Sequence, residues 1–246
     1  MSRRVALVCE ASNYVGPDLA RTLARRDHDL VLGNPADGLV DELEAIGAQV
    51  ATVSGLEDFA DPTAAPSLVE AAMERFGRID SAVVYSGRIV VGPFMQATVD
   101  DLHAVVAGNL EAPMRFLQAV LPPMIDAGNG QVLVITSASG ARPTPGAPLY
   151  SATRAGANML VRNVADEIAS SGVQVNAVGT NFMDFPAFRK ASRIEGDPER
   201  RARIEAQVPM GRLGTMEEFA AFCAVFLDGT SGFQTGAFVP YAGGWA

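Results

Sequence analysis

The sequence predicts an α/β fold: a doubly wound parallel sheet of about seven strands with helices on both faces. Short apolar, β-branched runs alternate along the chain with stretches of helical periodicity, an order typical of parallel sheets. The run Val132–Thr136 is apolar and β-branched, as expected of a strand buried on both faces. No linker or internal repeat divides the 246 residues, so one domain spanning 1–246 is expected.

The strands are predicted from short apolar runs bounded by polar residues, glycine or proline. In chain order, they are expected at Val5–Cys9, Asp29–Gly33, Gln49–Val53, Ile79–Tyr85, Val132–Thr136, Val173–Val178 and Gly236–Pro240. Apolar residues at helical spacing predict helices through Leu19–Ala24, Asp41–Ile46, Leu68–Phe76, Leu102–Leu121, from Leu149 to Ile168, and over Met216–Leu227. We expect the fourth helix to end at Pro122-Pro123, and the polar residues 184–209 to be partly helical.

Composition excludes several classes of function. A net charge of −9 and a pI near 4.7 argue against binding to nucleic acid or to an anionic membrane surface. No apolar run approaches the ~20 residues of a membrane span. Cys9 and Cys223 lack metal or redox spacing, which favours a reducing cytoplasm, and no metal site is predicted. His28 and His103 have polar neighbours and are expected on the surface.

Three residues near the fifth strand form a candidate catalytic group. Ser137 follows the strand directly, where site residues of open α/β sheets lie. Tyr150 and Arg154 are four residues apart in the next helix, so they share one face. A fixed positive charge favours the phenolate form of a nearby tyrosine, and a serine hydroxyl could hold a substrate oxygen opposite it. Taken singly, each residue could instead be a strand end or a surface pair.

The spacing of these residues resembles the Ser…Tyr-x-x-x-Lys site of the short-chain dehydrogenases/reductases, with Arg154 in place of the lysine. A Ser-Tyr-Arg set in this spacing is similar to the halohydrin dehalogenases, which share the Rossmann-like fold but use no nicotinamide cofactor. The resemblance covers essentially the whole chain. It therefore implies the fold, and the remaining loops have to distinguish the two families.

The loop after the first strand departs from the dehydrogenase pattern Thr-Gly-x-x-x-Gly-x-Gly. Of the three glycines only Gly16 is present, while Glu10 and Tyr14 occupy the other two positions. A carboxylate near two phosphates is repulsive, so the sequence predicts no nicotinamide cofactor. The segments Gly33-Asn34-Pro35 and Val84-Tyr85-Ser86-Gly87 also differ from the dehydrogenase pattern.

The loop after the sixth strand supplies the other half of the predicted site. Its residues replace the Pro-Gly turn that leaves room for nicotinamide in dehydrogenases. By position, the dehalogenase resemblance implies a halide-binding pocket made of Tyr14, Thr180, Asn181, Phe182 and Met183. We place the substrate pocket at Ile89, Phe94 and Ser139 from position alone. Asn109 matches a residue of the dehydrogenase tetrad but could equally hold a helix bend ahead of Pro113, so it is not counted as catalytic.

The resemblance implies a halohydrin dehalogenase, a carbon–halide lyase that converts haloalcohols to epoxides and halide. Ser137 would hold the substrate hydroxyl, Tyr150 would accept its proton, and Arg154 would stabilise the phenolate. Small anions would open epoxides in reverse. Wide apolar stripes on the Leu102–Leu121 and Tyr150 helices, with the resemblance, imply a homotetramer. Two alternatives remain open: an NAD(P)H-dependent short-chain reductase with a degenerate cofactor loop, and a non-catalytic binding protein on the same scaffold.

Overall fold

A computed structural model describes residues 3–85 and 87–246 of the chain. Ser86, part of the turn considered above, lies outside the described residues. The central sheet consists of β1 (Arg4–Val8), β2 (His28–Gly33), β3 (Val50–Val53), β4 (Ser81–Tyr85), β5 (Gly130–Ser137), β6 (Val173–Thr180) and β9 (Phe238–Tyr241). Two short strands, β7 (Met183–Asp184) and β8 (Gly214–Thr215), pair with each other outside it.

The strand order is β3-β2-β1-β4-β5-β6-β9, and every pair is parallel. This confirms the predicted α/β fold of Rossmann type. The strand order reverses between β1 and β4, so the loops that follow these two strands lead to opposite faces of the sheet. They leave a crevice at the carboxyl ends of the strands, the usual ligand position in open α/β sheets. The ends of β5 and β6 lie beside it, because Ser137 is paired in register with Thr180.

Helices cover both faces of the sheet. They are α1 (Gly16–Arg25), α2 (Leu39–Ala45), α3 (Ala64–Phe76), α4 (Val99–Val106), α5 (Ala112–Asp126), α6 (Pro148–Ile168), α7 (Pro186–Ser192), α8 (Pro198–Glu205) and α9 (Met216–Ala224). Two buried clusters form the core. One packs α3, α5 and α6 on a face of the sheet, around Phe116, and the other packs α1, α2 and α9 on the opposite face, around Phe219.

The structure corrects the predicted end of the fourth helix. It does not stop at Pro122-Pro123 but continues to Asp126, so the helix includes both prolines and loses the hydrogen bonds that their missing N–H groups would make. The same helix is also interrupted earlier, where a π-helical segment, Ala107–Glu111, joins α4 to α5. That segment carries Asn109 and lies one turn ahead of Pro113.

The structure also corrects the surface position expected for His28. Its side chain is fully buried at the start of β2, and Nδ1 lies 2.8 Å from the Arg26 carbonyl oxygen and 3.1 Å from that of Leu23. The polar sequence neighbours concealed this burial because neighbouring strand residues face opposite sides. His103, in contrast, is exposed as predicted.

Two features, a membrane-spanning helix and a metal-binding cluster, are absent from the residues that the structure describes. None of its helices is both long and apolar enough to cross a membrane. Within the same residues, no group of three or more histidine, cysteine or acidic side chains is placed to hold a metal ion. Cys9 and Cys223 are buried free thiols, and burial raises the pKa of Cys9 to about 12, so neither is a ready nucleophile.

Candidate active site

A cavity of about 600 Å³ lies at the carboxyl ends of β1, β4, β5 and β6 and is called the principal cavity below. Ten of the residues singled out from the sequence line it: Tyr14, Ile89, Ser137, Ser139, Tyr150, Arg154, Thr180, Asn181, Phe182 and Met183. The chain therefore gathers residues 14 to 183 around one space. Its volume is in the range typical of small-molecule sites.

Ser137 is held in place by its neighbours at the end of β5. Its hydroxyl donates to the Thr180 carbonyl oxygen at 3.3 Å and accepts from the Ser139 N–H at 3.1 Å. The strand ends here because a single 3₁₀ turn, Ala138–Gly140, follows. Ser137 is only 5% exposed, so its hydroxyl has a defined direction and a small opening toward the cavity.

Tyr150 and Arg154 lie in the first two turns of α6, which begins with Pro148 at a favourable position for proline. The Arg154 guanidinium carbon lies 5.2 Å from the centre of the Tyr150 ring, a cation–π distance. Arg154 is 7% exposed. Because guanidinium keeps its charge in proteins, a permanent positive charge lies beside the Tyr150 ring in a largely desolvated place. This is the interaction that the four-residue spacing predicts.

Gly87 and Asn109 lie beside Arg154, and neither is among the site residues predicted from the sequence. A Cβ on Gly87 would collide with the Arg154 guanidinium and come within 2.6 Å of Asn109 Oδ1, so these three residues meet. Asn109 is fully buried, and its Nδ2 donates to Thr153 Oγ1 at 2.9 Å and to the Arg88 carbonyl at 3.2 Å. The match of Asn109 to the dehydrogenase tetrad was the signal that could have placed it here.

Tyr14 crosses from the first loop to the end of β6. Its hydroxyl is hydrogen-bonded to Thr180 Oγ1 at 2.6 Å, and its ring packs against Tyr85 and Phe185 with centroids 5.4 and 4.9 Å away. Its φ of 51° is a left-handed conformation. This conformation is unusual for a bulky residue but readily adopted by glycine, which the family pattern has at this position. Burial raises the pKa of Tyr14, so it is a neutral phenol and not a base.

Glu10 occupies the other lost glycine position and is fixed by hydrogen bonds. One carboxylate oxygen accepts from the Ser12 N–H at 2.7 Å and from the Ser12 hydroxyl at 2.6 Å. The other accepts from Asn34 Nδ2 at 2.9 Å. Gly16 is still required, because a Cβ there would collide with the Glu10 carbonyl oxygen. The turn thus keeps its backbone path while its side chains have changed.

The residues Asn181 to Met183 form one wall of the cavity. Phe182 adopts a left-handed φ of 55°, its N–H donates to Asn181 Oδ1, and its carbonyl accepts from Gly214 N–H at 3.0 Å. Met183 is buried. These residues and Tyr14 share one side of the cavity, as predicted, but their assignment to a halide pocket stays a prediction. Phe185 and Phe188, which follow this loop, also line the cavity.

The predicted substrate pocket is only partly supported. Ile89 and Ser139 line the principal cavity, but Phe94 is not among its lining residues. Phe94 begins a 3₁₀ turn after Pro93 and is 63% exposed, because that turn carries the side chain outward. At the opposite end of the cavity, Asp58 and Arg88 form an ion pair of 3.0 Å that sequence reasoning missed. Its members come from loops after different strands and have no local signature.

A model of the family described as enoyl-(acyl carrier protein) reductase, of the short-chain dehydrogenase type, matches residues 11–246. The chain belongs to this short-chain dehydrogenase/reductase family.

Curated relatives of this short-chain dehydrogenase/reductase are oxidoreductases by name. It is 29% identical to the 3-oxoacyl-[acyl-carrier-protein] reductase FabG of Escherichia coli, covering 98% of this chain and 96% of that protein. It is 26% identical to the 2,5-dichloro-2,5-cyclohexadiene-1,4-diol dehydrogenase LinX of Sphingobium indicum, over 100% and 97%.

Solved structures show the same fold. Levodione reductase superposes with a TM-score of 0.85 at 27% identity, covering 98% of this chain and 96% of that one. YwfH, an NADPH-dependent reductase involved in bacilysin biosynthesis, superposes with a TM-score of 0.90 at 20% identity, over 100% and 99%. The last likeness shows the fold alone.

These comparisons correct the functional prediction. The identification as a halohydrin dehalogenase, a carbon–halide lyase, is wrong, because the matched family and relatives carry the names of reductases and dehydrogenases. They support the alternative of a short-chain reductase with a degenerate cofactor loop. The error came from taking Arg154 in place of the lysine, and the departures of several loops from the dehydrogenase pattern, as evidence of a different reaction.

The crevice at the carboxyl ends of β1 and β4 is called the groove below. Its residues, in the positions that they occupy, do not fit a nicotinamide dinucleotide. The family pattern binds the diphosphate through glycines after the first strand, whereas here that turn presents the Glu10 carboxylate and the Tyr14 ring. The bond between Tyr14 and Thr180 spans from this turn to β6, where the nicotinamide would lie. A dinucleotide would therefore bind only if Tyr14 and Glu10 leave these positions.

Proposed function

We propose that this protein is an oxidoreductase that acts on the carbonyl or hydroxyl group of a small, largely apolar molecule. The observation that carries the proposal is the placement of Ser137, Tyr150 and Arg154 around one cavity in a chain of this family. Reduction of a carbonyl or oxidation of an alcohol is the reaction class in the names of its relatives.

The chain's own residues provide the proton chemistry of that reaction, while the hydride would have to come from a donor such as NADH or NADPH, which can bind only if Tyr14 and Glu10 leave their positions. Ser137 donates a hydrogen bond to the substrate oxygen, for which its hydroxyl must turn away from the Thr180 carbonyl, a bond of 3.3 Å that is easily exchanged. Tyr150 gives a proton to that oxygen in reduction and takes it back in oxidation. Arg154 stabilises the phenolate that remains after proton donation, because its charge is permanent and largely removed from water.

The lining of the cavity favours a largely apolar substrate that is held at one carbonyl or hydroxyl oxygen. Beyond the Ser137–Tyr150 pair, the wall carries Phe182 and Phe185, and Ile89 borders the opening. Apolar walls with a few convergent polar groups are typical of sites that orient a substrate through a single functional group. The ketone of a 3-oxoacyl thioester, a cyclic diketone and an aliphatic ketone all satisfy this description.

A turnover assay tests the proposal. Reduction of these three ketones is followed with NADH and with NADPH, and oxidation of the matching alcohols with the oxidised cofactors. We expect turnover of at least one pair, and a loss of at least ~100-fold in Tyr150→Phe, the low end for general acid–base catalysis. The volume of the side chain hardly changes, so the melting temperature should stay near that of the wild type.

Tyr241→Phe is the matched control, because Tyr241 is a partly buried tyrosine that does not line the principal cavity. This variant should keep wild-type turnover. Turnover by Tyr150→Phe at the wild-type rate would show that another group carries the proton. If neither cofactor supports conversion of any of these substrates, the oxidoreductase proposal is wrong, and the non-catalytic alternative gains support.

A further inference from the structure

Trp245 connects two loops that border the principal cavity. Its indole lies edge-on to the Phe182 ring, with centroids 5.6 Å apart. The guanidinium carbon of Arg142 lies 4.6 Å from the indole centre, and Arg142 Nη1 donates to the Trp245 carbonyl oxygen at 2.7 Å. Phe182 belongs to the loop after β6 and Arg142 to the loop between β5 and α6.

Both connected loops contribute to the cavity wall. Phe182 lines the cavity itself, and Thr144, two residues after Arg142, lines it as well. The C-terminal segment is fixed independently of them, because the Gly243 carbonyl accepts from the Met210 N–H at 3.1 Å. Trp245 is thus an anchored side chain that contacts both loops.

Phe182 depends on such contacts for its position. A left-handed φ is rare for a bulky aromatic residue, so its surroundings must hold it there. Phe182 lines both the principal cavity and a second cavity of about 380 Å³. Phe188, with ring centroids 6.4 Å away, and Trp245 are its aromatic neighbours. A change in the position of Phe182 would therefore change the wall of both cavities.

We propose that Trp245 is a positioning residue for substrate specificity. Held by Arg142, it keeps Phe182 against the principal cavity and thereby sets which small apolar ketones or alcohols fit beside Tyr150. The inference rests on the proposed function in taking a ketone as ligand. It needs no cofactor, because it concerns binding to the chain alone.

The chain has a single tryptophan, so its fluorescence reports on this contact directly. Titration of the wild type with 2-octanone should give a saturable change in Trp245 emission. In Arg142→Ala we expect the dissociation constant to rise at least about fivefold, or ~1 kcal/mol at ~1.4 kcal/mol per tenfold. Arg142→Lys keeps a cation over the ring and should stay within about twofold of the wild type. Arg162→Ala, at an exposed arginine of α6, is the matched control and should change nothing.

Trp245 itself is tested by equilibrium dialysis of 2-octanone, which needs no fluorescence. Trp245→Ala should weaken binding at least about fivefold and Trp245→Phe about twofold or less, with both variants melting near the wild type. Where a ketone is turned over, Trp245→Ala should raise KM and leave kcat within about twofold, since uniform binding is lost.

Equal affinities for the wild type, Arg142→Ala and Trp245→Ala would overturn the inference, as would the absence of saturable 2-octanone binding in the wild type. The two proposals fail separately. Binding of 2-octanone that depends on Trp245, without turnover of any ketone, contradicts the oxidoreductase and leaves the positioning role standing. Turnover with a KM that Trp245→Ala does not change does the reverse.

Discussion

Replacement of Glu10 by glutamine tests whether the groove repels a dinucleotide by its charge. The substitution removes the charge and keeps the volume. Oε1 still accepts from Ser12, and Asn34 keeps its two hydrogen bonds to the Leu56 backbone, so the turn should retain its shape. The change in binding then reports mainly on the lost charge, since the other change is the loss of the hydrogen bond from Asn34 Nδ2 to the second carboxylate oxygen.

The magnitude follows from the distance at which a diphosphate would lie. Unit charges ~6 Å apart interact by ~3 kcal/mol at an effective dielectric constant of ~20. Glu10 is partly exposed, so solvent and salt screening reduce this to about 1–2 kcal/mol. We therefore expect Glu10→Gln to bind NADPH about 5- to 30-fold more tightly than the wild type.

The measurement is a titration of NADPH fluorescence at low and at moderate salt, and the gain should shrink as salt rises. Glu57→Gln is the matched control, since Glu57 also lines the cavity but is exposed, and its affinity should stay within about twofold of the wild type. Equal and tight binding by the wild type and Glu10→Gln would refute the reasoning, because the carboxylate would then not face the diphosphate.

Two further predictions concern the scaffold. Burial lowers the pKa of His28, with the nearby Arg4 charge as a smaller cause, so the unfolded chain takes up this proton at a higher pH than the folded one. Stability should fall as pH drops below ~6.5, and urea unfolding of His28→Asn should show a flatter dependence between pH 7 and 5; equal slopes would contradict this. The homotetramer is still a prediction, and the exposed apolar side chains on α4, α5 and α6 are consistent with it. Light scattering should give a multiple of 25.8 kDa, and the mass of one chain would contradict the prediction. These side chains are Leu102, Met114 and Met159.

Local rules were sufficient for the fold and for the placement of Ser137, Tyr150 and Arg154 near one another, while their catalytic roles stay a prediction. The alternation of apolar periods placed seven strands in order, and the β5 sequence placed Ser137 at a strand end. The four-residue spacing placed Tyr150 and Arg154 on one helix face, where the structure has them in contact. Each of these features depends on neighbours within a few residues, which a sequence displays directly.

Features that depend on distant partners could not be read in the same way. The bond between Tyr14 and Thr180 joins residues 166 positions apart, and no local pattern announces it. The π-helical segment around Asn109 and the burial of His28 likewise arise from packing. The reaction class was lost for a different reason: altered loop residues show which ligand a groove disfavours, but they do not say what the remaining residues catalyse.

Thr180 is hydrogen-bonded both to Tyr14, in the groove, and to Ser137, one of the proposed catalytic residues. Its side-chain hydroxyl is bonded to Tyr14, and its backbone carbonyl accepts the hydrogen bond of Ser137. A ligand that enters the groove must displace the Tyr14 ring and so break the first bond, which leaves the Thr180 hydroxyl to find a new partner. The second bond is long and weak, so Ser137 can turn from Thr180 to a substrate oxygen at little cost. A ligand in the groove and a substrate that attracts the Ser137 hydroxyl would therefore each break a hydrogen bond of the same residue, Thr180, at the end of β6.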